Sequence, residues 1–256
     1  MTNDILKHTG GISITNGFFE FCGESFFCDM SWGTRKESES SLFTIVKNEQ
    51  YFDTYIKLLN IQVKSLVEVG FLNGGSSVFF DLMYSPESFT AIDRRKDKII
   101  PVHHYIERKK RNENFRLLYG FDQGDTESLI EMVQKYHGGG IDMVIDDASH
   151  QYELTKKTFS VLFPHMRPGG TYVIEDHGWA HDRRYQDLDH VWSNRPALTN
   201  FIFELTMLNS SRSDIVSSIY INSGMCLIKK GAAQYLEPPF DPVDHILCRG
   251  RNLGLV

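Results

Sequence analysis

Leu66-Val67-Glu68-Val69-Gly70-Phe71-Leu72-Asn73-Gly74-Gly75-Ser76-Ser77 reads as a buried strand, a glycine-rich turn and a helix start. Glycine lets the backbone approach a ligand closely, and the free N–H groups of a helix start favour an anionic group. The spacing from Gly70 to Gly74 is longer than Gly-x-Gly-x-x-Gly, so a dinucleotide is disfavoured. A turn of this kind also serves plain strand-to-helix chain reversal, and Ser76 or Ser77 can simply cap the helix.

Outward from this stretch, short apolar runs alternate with amphipathic helical patterns, the signature of βαβ units around a parallel sheet. Strands are expected at Ser65 to Val69, Ser88 to Ile92, Phe115 to Tyr119, Ile141 to Ile145 and Thr171 to Ile174. Helices fit Ser76 to Met83, Lys98 to Lys110, Asp125 to Tyr136 and Tyr152 to Met166, the last stopped by Pro168-Gly169-Gly170. A further helix covers Ala197 to Leu208. Ile215 to Ile221, a tight Asn222-Ser223-Gly224 turn and Met225 to Lys229 then read as a terminal β-hairpin. The pattern is that of a doubly wound α/β fold, a mostly parallel seven-stranded sheet ending in an antiparallel hairpin. With 256 residues and no Pro-, Gly- or Ser-rich linker, the chain divides into one domain over 65–256 and an N-terminal extension over 1–64. In that extension, helical periodicity from Ser40 to Leu59 suggests a lead-in helix. The aromatic clusters at Phe18 to Phe21 and Phe26 to Phe27 suit a lid or a dimer contact, leaving room for a homo-oligomer.

Polar residues gather where a parallel sheet presents its carboxyl ends. Asp93 ends the second strand about 20 to 25 residues beyond the turn, where an acid grips ribose hydroxyls, although Arg94 and Arg95 would also suit a surface ion pair. Asp122 and Gln123 follow the third strand, and Asp125 beside them is equally a helix N-cap. Asp146-Asp147-Ala148-Ser149-His150 follows the fourth strand and Glu175-Asp176 the fifth. Adjacent loops would bring Asp147, His150, Glu175 and Asp176 together as three hard oxygen ligands and one imidazole base. Either Asp146 or Asp147 could instead cap the next helix. Glu175 and Asp176, neighbouring carboxylates at a strand end, repel one another unless exposed or bound to a cation. The following run, His177 to Tyr185, should line a substrate pocket through His177, Trp179 and His181, with Trp179 able to stack on a ring face, and reads equally as an exposed polar loop.

A formal net charge of −6 and a pI near 5.9 disfavour nucleic acid as a partner. Cys22, Cys28, Cys226 and Cys248 form no C-x-x-C, so neither a zinc site nor a dense disulfide framework is expected. Met1-Thr2-Asn3-Asp4 lacks the basic start and apolar run of a secretory signal, and no apolar stretch reaches membrane-spanning length. The expectation is a cytoplasmic chain with no membrane partner.

Taken together, Glu68 to Ser77, Asp93, Asp122-Gln123, Asp146 to His150 and Glu175-Asp176 resemble class I S-adenosylmethionine-dependent methyltransferases. Within that class they are most similar to the metal-dependent sugar O-methyltransferases of macrolide biosynthesis. The resemblance covers roughly Ser65 to Asp176. It implies S-adenosylmethionine held by Glu68, Gly70, Asn73, Gly74, Ser76, Asp93, Asp122, Gln123 and Asp146. It also implies Mg²⁺ held by Asp147, Glu175 and Asp176, with His150 as general base. An imidazole suits that role because its ordinary pKa of about 6.5 leaves it largely neutral near neutral pH. The implied partner is a small-molecule or glycan acceptor with vicinal hydroxyls. One type within that family carries a substantial N-terminal auxiliary domain, whereas only 1–64 precede the first strand expected here. Two enzymatic alternatives stay open, a catechol-type O-methyltransferase and a cephalosporin hydroxylase-like protein. The catechol type places a Lys three residues after its first metal Asp, where this chain has His150. A non-catalytic S-adenosylmethionine-binding protein is the third alternative.

Overall fold

The computed structural model describes residues 12–31, 35–58, 61–233 and 235–251. Ten strands are described: β1 (Phe18–Phe21), β2 (Glu24–Cys28), β3 (Phe43–Ile45), β4 (Ser65–Val69), β5 (Ser88–Asp93), β6 (Phe115–Tyr119), β7 (Ile141–Asp146), β8 (Met166–Glu175), β9 (Val216–Ile221) and β10 (Met225–Lys230). Six α-helices accompany them: α1 (Glu49–Lys57), α2 (Gly75–Tyr84), α3 (Ile100–Arg108), α4 (Thr126–Tyr136), α5 (Tyr152–Leu162) and α6 (Thr199–Ser211).

Seven strands form the central sheet in the order β6-β5-β4-β7-β8-β10-β9. The pairs among β4, β5, β6, β7 and β8 are parallel, and β10 runs antiparallel to both β8 and β9. The α/β class and the C-terminal hairpin are therefore as expected. Between β4 and β7 the winding reverses, because β4 leads outward to β5 on one side and β7 to β8 on the other. Such a switch point opens a crevice at the carboxyl ends of the strands.

Strand alternation sends Leu66, Ala91 and Ile145 into one apolar layer with α2 and α3, and Val67, Ile92 and Val144 into the other with α4, α5 and α6. The helix α2 is buried on more than one side, including Val78, Phe79, Phe80 and Met83. Its second cover is the three-stranded sheet β1-β2-β3, whose Phe19, Phe21 and Phe26 pack on Phe79 at ring separations of 6.2, 5.0 and 6.0 Å. A helix enclosed in this way must be apolar around most of its circumference.

Three sequence expectations shift. Ser40 to Leu59 is not one helix, because Phe43–Ile45 pairs in parallel with β2 and Asn48 then caps α1 through Tyr51 N. Lys98 to Lys110 contracts to Ile100–Arg108. The helix starting at Tyr152 ends at Leu162, and Pro168-Gly169-Gly170 lies within β8, opposite the register shift between Ile141 and Met143. A bulge-like break in the pairing with β7 accommodates the proline and the positive φ of Gly169, so the tripeptide bends a strand instead of stopping a helix. No helix among the described residues is long and apolar enough to cross a membrane.

The buried His137 ties the bottom of the sheet together, with Nδ1 on Ser65 Oγ at 2.7 Å and Nε2 on Thr90 Oγ1 at 2.9 Å. Burial, with Arg116 and Arg167 nearby, pushes its pKa down to about 4. A His held neutral in the fold contributes no pH dependence above its unfolded pKa near 6.5, and destabilises as pH falls from there towards 4. Acid should therefore remove about 3 kcal/mol of stability across that window. Denaturant midpoints from pH 7.5 to 4 should show this slope in the wild type and a flatter limb in His137→Gln.

Candidate active site

A cavity of about 490 Å³ lies over the carboxyl ends of β4, β5 and β7. Gly70, Phe71, Leu72, Asn73 and Ser76 form its floor, and Ile92, Asp93, Phe121 and Gln123 stand at one side. Elsewhere the wall includes Lys47, Asp147, Ser149, His150, Asp176 and Trp192.

Close backbone approach shapes the floor. Gly70 has φ +89°, and a Cβ there would lie 2.3 Å from the carbonyl oxygen of Asp147. The turn is then held from below by Asp93. Its Oδ2 accepts from the N–H groups of Phe71 and Leu72 at 2.8 Å, and its Oδ1 accepts from Arg95 N at 2.7 Å. A carboxylate offers about four acceptor positions, so Asp93 retains capacity for a ligand while fixing the loop. Above the turn runs the segment leading into β3. Asn73 Nδ2 donates to Lys36 O at 2.5 Å, and Ser38 Oγ donates to Asn73 O at 2.6 Å. Gly74 caps α2 without a side-chain hydrogen bond, and Ser76 of the first turn lines the cavity.

Not every expected cofactor contact reaches the cavity. Glu68 sits inside β4 behind the wall, donated to by Ser77 Oγ, and its burial raises the carboxyl pKa to about 7. Gly74 packs against Val102 behind the turn. Asp122 caps its own loop, with Oδ1 accepting from Gly124 N at 2.8 Å. Asp125 serves as the N-cap of α4. Asp146 is buried one residue before the cavity, accepting from Tyr172 O–H at 3.0 Å, and is likewise pushed up to about 7 by burial. Gln123 does line the cavity, where its carbonyl accepts from Ser149 N at 3.0 Å and its amide donates to Thr158 at 3.0 Å. It thus fixes the loop that carries His150.

At the other side three donors converge. His150 Nε2 stands 3.9 Å from Asp147 Oδ1 and 3.8 Å from Asp176 Oδ2. Asp147, His150 and Asp176 can each direct one ligand atom to a common space within 4.8 Å. The φ angles of His150 and Asp176 are +54° and +53°, a conformation uncommon outside glycine and concentrated at functional positions. Backbone bonds fix both: Trp179 Nε1 donates to His150 O at 2.7 Å, and Asp176 N donates to Gly224 O at 2.7 Å.

Glu175, expected as the third ligand, does not join this group. Its two oxygens accept from Lys47 Nζ at 2.7 and 2.6 Å, and Tyr55 O–H donates to it as well. The same ammonium donates to Asp147 Oδ2 at 2.8 Å, and Tyr51 O–H donates to Asp176 Oδ1. The surrounding carboxylates outweigh burial and hold the Lys47 pKa well above its ordinary value, so the side chain stays charged. The strand end reads correctly as a place for a cation, but a cation from the chain itself meets Glu175.

The expected acceptor residues also separate. His177 is buried, its Nε2–H donating to Asn222 O at 2.9 Å, and His181 shares a hydrogen bond with Thr199 at 2.7 Å. Trp179 lies beneath the His150 loop, 4.9 Å from the Trp192 ring, and it is Trp192 that faces the cavity. Lys47, Tyr51 and Tyr55 escaped the sequence reading. Tyr51 and Tyr55, four apart, share one face of α1 and Lys47 precedes its N-cap, but aromatic residues at that spacing ordinarily signal core, and only the packed fold directs these polar tips to the carboxylates.

The fold is that of class I methyltransferases, and residues 67–177 match the family described as a methyltransferase domain. Within that class, the chain is similar to demethylmacrocin O-methyltransferase of Streptomyces fradiae, 53% identical over 55 residues that make up 22% of this chain and 13% of the relative. Mycinamicin VI 2''-O-methyltransferase of Micromonospora griseorubida is 51% identical over 55 residues, with the same shares of 22% and 13%. The chain thus spans a small part of the curated relatives it matches. Among solved structures, the MycE methyltransferase from the mycinamycin biosynthetic pathway, in complex with Mg and SAH, superposes with a TM-score of 0.50 at 24% identity over 72% of this chain and 49% of that one. The O-methyltransferase TomG from Streptomyces achromogenes, in complex with SAM, gives 0.53 at 16% identity over 73% and 82%.

Gly70 and Gly120 separate backbone approach from conformational preference. Both have positive φ, but a Cβ on Gly120 meets nothing within 4 Å. Gly120→Ala should cost about 1 kcal/mol. Gly70→Ala should cost roughly 3 kcal/mol or more, because the clash is with backbone. Thermal melts of the two variants side by side check the ordering.

Proposed function

We propose that this protein is an S-adenosylmethionine-dependent O-methyltransferase that requires a divalent cation, Mg²⁺, and methylates a hydroxyl of a sugar. The acceptor is a glycosylated natural product or a polysaccharide bearing vicinal hydroxyls. The observation that carries the reading is the convergence of Asp147 Oδ1 and Asp176 Oδ2 on His150 Nε2 in the wall of a cavity floored by the glycine-rich turn. Its support is the likeness to O-methyltransferases whose names give a rhamnosyl tetracenomycin and an olivosyl oleandolide as acceptors, and to a structure in complex with Mg and SAH.

The donor set suits the ion. Asp147 Oδ1 and Asp176 Oδ2 would give a hard, incompletely filled shell in which Mg²⁺ ordinarily keeps water or substrate oxygens, and His150, within 4.8 Å of both, stays outside it as the base. When bound, the cation supplies Lewis-acid polarisation that makes an acceptor hydroxyl more acidic. The chain does the rest. Gly70 to Ser76 and Asp93 orient the methyl donor, and His150 accepts the hydroxyl proton. The acceptor oxygen forms a bond to the methyl carbon as the sulfur–methyl bond breaks and its electron pair returns to sulfur. The products are a methyl ether, S-adenosylhomocysteine and a protonated imidazole.

Lys47 does not compete for the role of base, because its ammonium is held protonated by the carboxylates around it. The site therefore differs from a lysine-based catechol arrangement even though a lysine is present. Asp147→Ala and Asp176→Ala should lose metal-stimulated turnover by at least about 10²-fold while S-adenosylhomocysteine still binds in calorimetry, and His150→Ala should lose about 10² to 10⁴. Turnover assays of a sugar diol and a catechol in parallel test the acceptor class. Wild-type rates in all three variants would remove the assignment.

A further inference from the structure

Asp147, Glu175 and Asp176 are each gripped by a side chain lying before residue 67, outside the matched domain segment. Lys47 takes Glu175 and one oxygen of Asp147, Tyr55 takes Glu175, and Tyr51 takes Asp176. An ammonium has three N–H donors, and here three carboxylate oxygens receive them, at 2.8, 2.7 and 2.6 Å. The Lys47 and Glu175 side chains are each 1% exposed. Removing either partner leaves an uncompensated buried charge, so the two act as a unit.

We propose that Lys47 is a built-in cation that withdraws Glu175 from metal binding, so that Asp147 Oδ1 and Asp176 Oδ2 are the protein's carboxylate ligands and Lys47, Tyr51 and Tyr55 are positioning residues. This inference rests on the metal-dependent reading above. It follows from geometry. A divalent ion on either Glu175 oxygen would sit within about 5 Å of the Lys47 ammonium in a buried, weakly screened setting. On Asp147 Oδ1 and Asp176 Oδ2 it meets oxygens left open by the grip of Lys47 and Tyr51 on their partners. Charge agrees as well: the carboxylates of Asp147, Glu175 and Asp176 with one ammonium leave two negative charges for one dication. The N-terminal segment thereby determines which acids face the cavity.

The test is calorimetric titration with Mg²⁺ of the wild type, Glu175→Gln, Asp176→Asn and the double variant Lys47→Met/Glu175→Gln, with thermal melts of these and of Lys47→Met. Glu175→Gln and the double variant should keep Mg²⁺ affinity within about 3-fold of wild type, while Asp176→Asn should lose at least about 10-fold. Lys47→Met should melt well below wild type, and the added Glu175→Gln should restore much of the difference. If Glu175→Gln alone fails to fold, the double variant carries the same affinity comparison. A loss in Glu175→Gln and the double variant equal to that in Asp176→Asn would overturn this proposal and leave the metal-dependent function standing. A double variant no more stable than Lys47→Met would also overturn it. Absence of Mg²⁺ binding in the wild type would instead sink the functional reading, and this inference with it.

Discussion

A lysine that stays charged without solvent is tolerable only where its charge is met, and Lys47 meets that condition through Asp147 and Glu175. The bond network spans separate parts of the fold. Lys47 follows β3 in the small sheet, while the acids end β7 and β8 of the central sheet. Packing of Phe19, Phe21 and Phe26 on Phe79 brings the small sheet over α2, and the ion pair fixes its far end to the site. Apolar contact sets the distance between the two sheets, and the ammonium sets the register. Without that register, Tyr51 and Tyr55 would not meet Asp176 and Glu175.

Acids at the site consequently divide by environment. Glu68, Asp146 and Glu175 are buried, each with its pKa raised by desolvation, and each is bonded to a neighbouring side chain. Asp93, Asp147 and Asp176 keep oxygen surface in the cavity wall. The first set is committed to neighbouring side chains; in the second, Asp93 also holds the glycine-rich turn, while Asp147 and Asp176 each turn an oxygen towards His150. Adjacent residues fall on opposite sides of this divide, as with Asp146 and Asp147 or Glu175 and Asp176, because a strand end sends successive side chains in opposite directions.

Much of the architecture was legible because it rests on local signals. Alternating apolar runs, Gly70 and Gly74 between strand and helix, and Asn222-Ser223-Gly224 between two strands each identify an element within a few residues. Asp147, His150 and Asp176 were legible too, since residues just past adjacent parallel strands must be neighbours. What stayed hidden depended on long-range packing. The aromatic run from Phe18 to Phe27 is a hairpin whose role appears only when α2 is found beneath it, and Lys47 lies 128 positions from Glu175. His177 and His181 show the converse. Their polarity suggested a pocket, but one ring nitrogen of each is bonded elsewhere, to Asn222 and Thr199, and no sequence pattern announces a partner so far along the chain.

The indole N–H of Trp179 holds the carbonyl of His150, and its ring meets Trp192 at 4.9 Å beside the cavity. Of the chain's three tryptophans, two therefore stand at the imidazole loop. Their ultraviolet emission is an intrinsic optical probe of that loop, sensitive to its displacement or to occupation of the neighbouring space, and it needs no attached dye.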